Sequence, residues 1–121
     1  MCGICGFVSL SGKLQQNSNF IIKKMNSSMT HRGPDEEGYY IDNMICLGSR
    51  RLSIIDLQTG KQPIDNEDNS LHIILNGEIY NFRELRQYLK KHGHIFTTNT
   101  DTEVILHLYE EFGADCVQHL D

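Results

Sequence analysis

CGICGFVSL, residues 2–10, decides how the rest of this chain is read. The run is short and apolar with small residues interleaved, which predicts a buried strand ending at a Ser11-Gly12 turn. Gly3 and Gly6 allow close approach of a neighbouring backbone or a ligand. The run begins directly behind Met1, so removal of Met1 makes Cys2 the N-terminal residue. A free α-amine titrates at roughly 7.7–8.0 and a thiol at about 8.5. The amine can therefore serve as general base for its own side chain, directly or through one water. Removal is favoured by the smallness of Cys2. A retained Met1 would lock the amine into a peptide bond and leave the thiol without a base.

The same run contains a C-x-x-C pair, Cys2 and Cys5, a spacing shared by redox dithiols and half zinc sites. A redox pair belongs at a helix N-terminus after a strand, whereas this pair lies within a strand. A zinc site needs two more ligands at short spacing. Cys46 and Cys116 are isolated and read as small core residues, as does Cys5. His92 and His94 flank Gly93 and read as solvent-facing. No metal ligands are assigned.

Working outward, Ile21, Ile22, Met25 and Met29 repeat at helical spacing and predict a helix over about 19–29, capped by Asn17 or Ser18. Residues 30–37 are polar with Gly and Pro, a loop. Tyr39–Ile41 and Met44–Leu47 flank Asp42-Asn43 as a hairpin. Leu52–Leu57 is a further apolar run, followed by a polar loop over about 58–70 and a strand at Leu71–Leu75. Asn81 and Glu84 form a capping-box pattern ahead of a helix through Phe82, Leu85 and Leu89, closed by Gly93. Ile95-Phe96 reads as a brief strand. Thr100 or Asp101 caps a helix through Val104, Ile105, Leu108 and Phe112, closed by Gly113. Strands, helices and strands again in this order predict an α+β domain. The tail from Ala114 to Asp121 opens a new turn and stops, the pattern expected of a fragment of a longer protein.

The 121 residues fit one domain with a real core, 39% of them apolar. A net charge of −5 with no basic run argues against a nucleic-acid partner. No apolar stretch reaches membrane-spanning length, and no secretory leader is present. The reading is cytoplasmic, with reduced cysteines.

Four further segments can carry chemistry. His31-Arg32-Gly33-Pro34-Asp35 is turn chemistry or a rigid loop walling a pocket. Arg51, at the mouth of the apolar run Leu52–Ile55, can grip a carboxylate through two parallel hydrogen bonds, or sit solvated at a strand end. Asn76-Gly77 can form a turn, or pair a side-chain amide with an unobstructed backbone N–H as an oxyanion hole. A capped helix soon after argues against a hairpin. Asp101 and Glu103 can complement a helix N-terminus or pair with a substrate ammonium.

Together, Met1-Cys2-Gly3-Ile4, His31–Asp35, RLSIID at 51–56, NGEIYN at 76–81 and TDTEVI at 100–105 resemble the N-terminal glutaminase domain of glutamine-hydrolysing asparagine synthetases, a class II glutamine amidotransferase. The resemblance spans essentially the whole chain. It implies an N-terminal-nucleophile αββα sandwich, continuing past residue 121, so residues 1–121 would be an incomplete glutaminase domain. It implies that Cys2 attacks glutamine and forms a glutamyl thioester, with Asn76 and the Gly77 N–H as the oxyanion hole. Arg51 would bind the substrate α-carboxylate, Glu78 and Asp101 its α-amino group, and backbone groups of Ile54 and Ile55 would complete the cradle. His31–Asp35 would support the pocket wall without reacting. No cofactor is expected in this chain. ATP and magnesium would belong to a separate synthetase domain, the implied partner, which would pass ammonia to aspartate. A related amidotransferase serving a sugar or peptide carboxylate, or an inactive interaction fragment, remain the alternatives. Exposed sheet edges of an incomplete sandwich predict self-association.

Overall fold

A computed structural model describes residues 2–52 and 60–121. Among these the chain mixes α and β elements in two compact units. Among the described residues, one comprises 2–52, Lys61–Pro63 and Ile74–Asn76; the other comprises Gly60, Ile64–Ile73 and Gly77–Asp121.

The first unit is an antiparallel sheet of β1 (Gly3–Val8), β2 (Glu36–Ile41) and β3 (Ile45–Arg51), in the order β1-β3-β2, with α1 (Ser18–Ser28) packed on one face. Asp42 closes the β2–β3 hairpin, its Oδ1 accepting the N–H groups of Met44 and Ile45 at 2.7 Å. Both strands run further than the hydrophobic pattern predicts. β2 begins at Glu36, inside the expected loop, and β3 continues through Arg51. The polar stretch Gly48-Ser49-Arg50-Arg51 hides that continuation from a hydrophobicity reading. Side chains alternate across a strand. Gly3 and Cys5 of β1 face α1. A Cβ on Gly3 would meet Met29 of the adjoining turn, and the Cys5 thiol fills the space left by Gly48 beside Asn26. Burial pushes the Cys5 thiol pKa up. The buried stripe of α1 is Ser18, Ile22 and Asn26, so Ile21 of the expected stripe lies instead at the surface.

In the second unit a short hairpin joins β4 (Ile64–Asp65) to β5 (His72–Ile73). β4 falls within the segment expected to be loop, and β5 is shorter than Leu71–Leu75. Asn66 shapes the connection: its Oδ1 accepts the Leu71 N–H at 2.9 Å, and its backbone N–H reaches the Leu71 carbonyl. Helices α2 (Phe82–Lys91) and α3 (Thr102–Phe112) follow, then a 3-10 turn over Gly113–His119. Leu89, Val104, Leu108 and Cys116 form the buried core, flanked by Phe82, Leu85, Phe96, Phe112 and Leu120. α2 ends as expected. Gly93 has φ +94°, and the N–H groups of Gly93 and His94 return to Lys90 and Leu89 in a Schellman closure.

Three local expectations are corrected. The Asn81–Glu84 capping box does not form, because the Asn81 amide donates to the His119 carbonyl and its oxygen accepts the Asp121 N–H. A tertiary partner has displaced the local one. Ile95-Phe96 is not a strand. The Ile95 N–H donates to Glu67, and the Phe96 ring packs against His107 and the Arg86 guanidinium. His94 is not solvent-facing: its side chain is 12% exposed and lies between Glu110 and Glu111.

Candidate active site

Cys2 enters the sheet from the N-terminal end of β1. The β1–β3 register pairs Gly3 with Arg50. One step further sets Cys2 level with Arg51, and alternation places both on the face opposite α1. Glu36 of β2 is paired with Arg51 on its other side. The same alternation sends Cys2 and Cys5 to opposite faces, which removes the physical basis for a dithiol or shared zinc site.

The His31–Asp35 segment fastens this end of the sheet. Arg32 Nε donates to the Cys2 carbonyl at 3.1 Å. Pro34 bridges to Arg51, and the Asp35 N–H donates to the Arg51 carbonyl at 3.2 Å. Gly33 has to be glycine for this seating, since a Cβ there would lie 2.4 Å from Arg50 C and Arg51 N. Backbone cannot yield as a flexible side chain can. Gly33→Ala is expected to cost about 2 kcal/mol of stability, read by denaturant unfolding. A variant as stable as the parent would show that this contact is not a constraint.

Arg51 is a strand residue rather than a residue ahead of a strand. It is 8% exposed, and its Nη1 meets Glu36 Oε2 at 3.1 Å. Glu36 was missed in the sequence because nothing in a carboxylate fifteen residues upstream announces its strand register. Gln62 was missed for the same reason. Ser49 Oγ, on the Cys2 face two residues before Arg51, donates to the Gln62 carbonyl at 2.9 Å. Gln62 Oε1 in turn accepts the Leu75 N–H at 2.7 Å, next to Asn76. These bonds tie the segment carrying Asn76 to the sheet face that carries Arg51.

Asn76 and Gly77 form an exposed bend, and α2 follows rather than a paired strand. Asn76 groups with the first unit, Gly77 and Glu78 with the second. In the second unit Glu78 and Asp101 line one pocket with Ile79, Tyr80, Phe82 and Arg83. Asp101 stands at the N-cap of α3 without a capping side-chain bond. Its Oδ2 instead accepts the Ile79 N–H at 2.8 Å, which orients the carboxylate toward the segment after Glu78. Ile54 and Ile55 lie outside the described residues, as does Met1.

Glu103, beside this pocket in sequence, is structural. It is 1% exposed and accepts the N–H and hydroxyl groups of both Thr97 and Thr98, at 2.7–3.1 Å. Burial alone would raise its pKa. The nearby His107 imidazole and the bonds from Thr97 and Thr98 outweigh that and hold it at about 2.

The sequence model of the glutamine amidotransferase domain matches residues 1–121, and the chain belongs to that family. Among curated relatives, asparagine synthetase [glutamine-hydrolyzing] 2 of Bacillus subtilis is 46% identical, covering 99% of this chain and 16% of that protein. Asparagine synthetase [glutamine-hydrolyzing] 1 of the same species is 45% identical over 97% of this chain and 19% of its own length. Asparagine synthetase [glutamine-hydrolyzing] 1 of Arabidopsis thaliana is 43% identical over all of this chain and 20% of its own length. The chain thus spans a fifth or less of these relatives. No helix among the described residues is long and apolar enough to cross a membrane.

Proposed function

We propose that this chain is the glutaminase part of a glutamine-hydrolysing asparagine synthetase, releasing ammonia from glutamine through a Cys2 thioester. The reading is supported by the β1–β3 register, which sets Cys2 level with Arg51, and by the bonds from Arg32 to the Cys2 carbonyl and from Ser49 and Leu75 to Gln62. After loss of Met1, the Cys2 amine takes the thiol proton and the thiolate attacks the side-chain amide carbon. The carbonyl electron pair moves to oxygen, where the Asn76 amide and the Gly77 N–H donate to it. Collapse breaks the C–N bond, and the ammonium of Cys2 protonates the departing nitrogen, giving ammonia. Water then adds to the thioester, its proton going to the amine, and glutamate leaves as the thiolate is restored.

Arg51 binds the substrate α-carboxylate while Glu36 holds the guanidinium in plane. Glu78 and Asp101 bind the α-ammonium, and backbone groups at Ile54 and Ile55 complete the cradle. The αββα sandwich is the architecture this chemistry implies, with the remainder of the glutaminase domain and a synthetase domain outside this chain. ATP and magnesium act there, in activating aspartate for the ammonia, in the cytoplasm. The chain itself needs no cofactor for hydrolysis.

Intact mass before and after a glutamine-mimicking diazoketone tests the reading. Loss of Met1 with a single adduct mapped to Cys2 is the expected result. A processed chain that hydrolyses glutamine yet carries its adduct elsewhere would overturn the assignment.

A further inference from the structure

Among the described residues, Glu67, His94, His107 and Glu110 each direct one ligand atom to a common centre, all within 4.8 Å of one another. All four belong to the second unit, and none is among the residues proposed above for glutamine hydrolysis. We propose that they form a binding site for a divalent transition-metal ion, Zn²⁺ being the best match.

The spacing fits. Glu110 Oε2 lies 3.0 Å from His94 Nδ1 and 3.0 Å from His107 Nδ1. Glu67 Oε1 lies 3.7 Å from His107 Nδ1. Tetrahedral zinc with bonds of roughly 2.0–2.1 Å separates its ligand atoms by about 3.3–3.4 Å. These three distances bracket that value, and the remaining pairs lie within 4.8 Å, so side-chain adjustment closes the set around an ion.

The outer surroundings of the two rings are an independent indication. A metal-bound imidazole ordinarily directs its other nitrogen to a carboxylate. Here both rings turn Nδ1 inward and Nε2 toward an outer glutamate. His94 Nε2 is 2.7 Å from Glu111 Oε1. His107 is fully buried, and its Nε2 has no hydrogen-bond partner, with Glu103 Oε1 at 3.6 Å. The inner carboxylates are oriented too. Asn66 Nδ2 donates to Glu110 Oε1 at 2.7 Å, and the Ile95 N–H to Glu67 Oε1 at 3.0 Å.

Two imidazoles with two carboxylates suit zinc or another first-row ion rather than calcium or magnesium, which take oxygen ligands. The four surrounding glutamates favour a dication. Access is from the rim, where the Glu67 and Glu110 side chains are 35% and 26% exposed while the rings lie deeper. A bound ion would pin three segments together: the β4–β5 connection, the stretch after α2, and the C-terminal half of α3.

The test uses the 121-residue chain with its accessible thiols alkylated under native conditions, stripped of metal by chelator and dialysed against Zn²⁺ alone. One ion per chain and a raised Tm are expected. Co²⁺ in its place should give the visible bands of a tetrahedral site without thiolate charge transfer. His94→Ala and Glu110→Gln should abolish binding. Glu111→Gln, a change at an exposed carboxylate that leaves the fold intact, should weaken it by about 10–100-fold. Failure to retain the ion, retention unaffected by Glu111→Gln, or binding only while the cysteines are unmodified would each overturn the proposal.

Discussion

Cys2→Ala is expected to abolish glutamine hydrolysis, with a loss on the order of 10⁴–10⁶-fold in kcat, the range seen when a covalent nucleophile is removed. The chain should still fold, because Cys2 lies outside β1 and contributes only its carbonyl to the Arg32 bond. Alanine keeps that carbonyl. The comparison with Asn76→Ala is informative. One oxyanion donor is worth about 10²–10³ in rate, and the Gly77 N–H remains, so Asn76→Ala should be crippled rather than dead. Initial-rate measurements of ammonia release, on protein shown by mass to have lost Met1, distinguish these outcomes. Substantial hydrolysis by Cys2→Ala would end the thioester mechanism.

Glu103→Ala carries the largest expected cost in stability, about 4 kcal/mol. It strands the buried Thr98 N–H, removes the acceptor of the Thr97 N–H and hydroxyl, and leaves the Thr98 hydroxyl with Thr100 alone. Glu103→Gln keeps one oxygen acceptor and should lose less. Urea unfolding at neutral pH, followed by far-UV circular dichroism, gives both values. If Glu103→Ala unfolds within about 1 kcal/mol of the parent, the carboxylate is not the anchor of the 97–98 segment.

These contacts show which parts of the molecule the sequence exposes and which it conceals. β1, the β2–β3 hairpin, α2 with its Gly93 closure and α3 with Gly113 all carry local signals: an apolar run, a polar turn, a helical stripe, a glycine at the end. Each appears within a residue or a few of its expected place. What stayed hidden depends on partners distant in the chain. Arg50 and Arg51 are strand residues because β1 and β2 flank them, not because of their own β-preference. Asn81 gave up its local capping role to the chain's last residues. The pattern of candidate residues was legible because motif segments stand in a recognisable order. The residues that hold those segments in place, Arg32, Glu36 and Gln62, were not, since a single hydrogen bond leaves no periodic trace. Glu103 looked like a helix-end charge and proved to be a buried acceptor.

The alternation of β1 has a last consequence, for survival under oxidants. A nucleophilic thiol converted to a sulfenic acid is ordinarily rescued when a nearby cysteine condenses with it, before further oxygen makes the damage permanent. Cys5 stands three residues away, but on the α1 side of the sheet. It cannot act as the resolving thiol without peeling the strand from β3. Repair of an oxidised Cys2 therefore falls to an external thiol that reaches it from the face opposite α1.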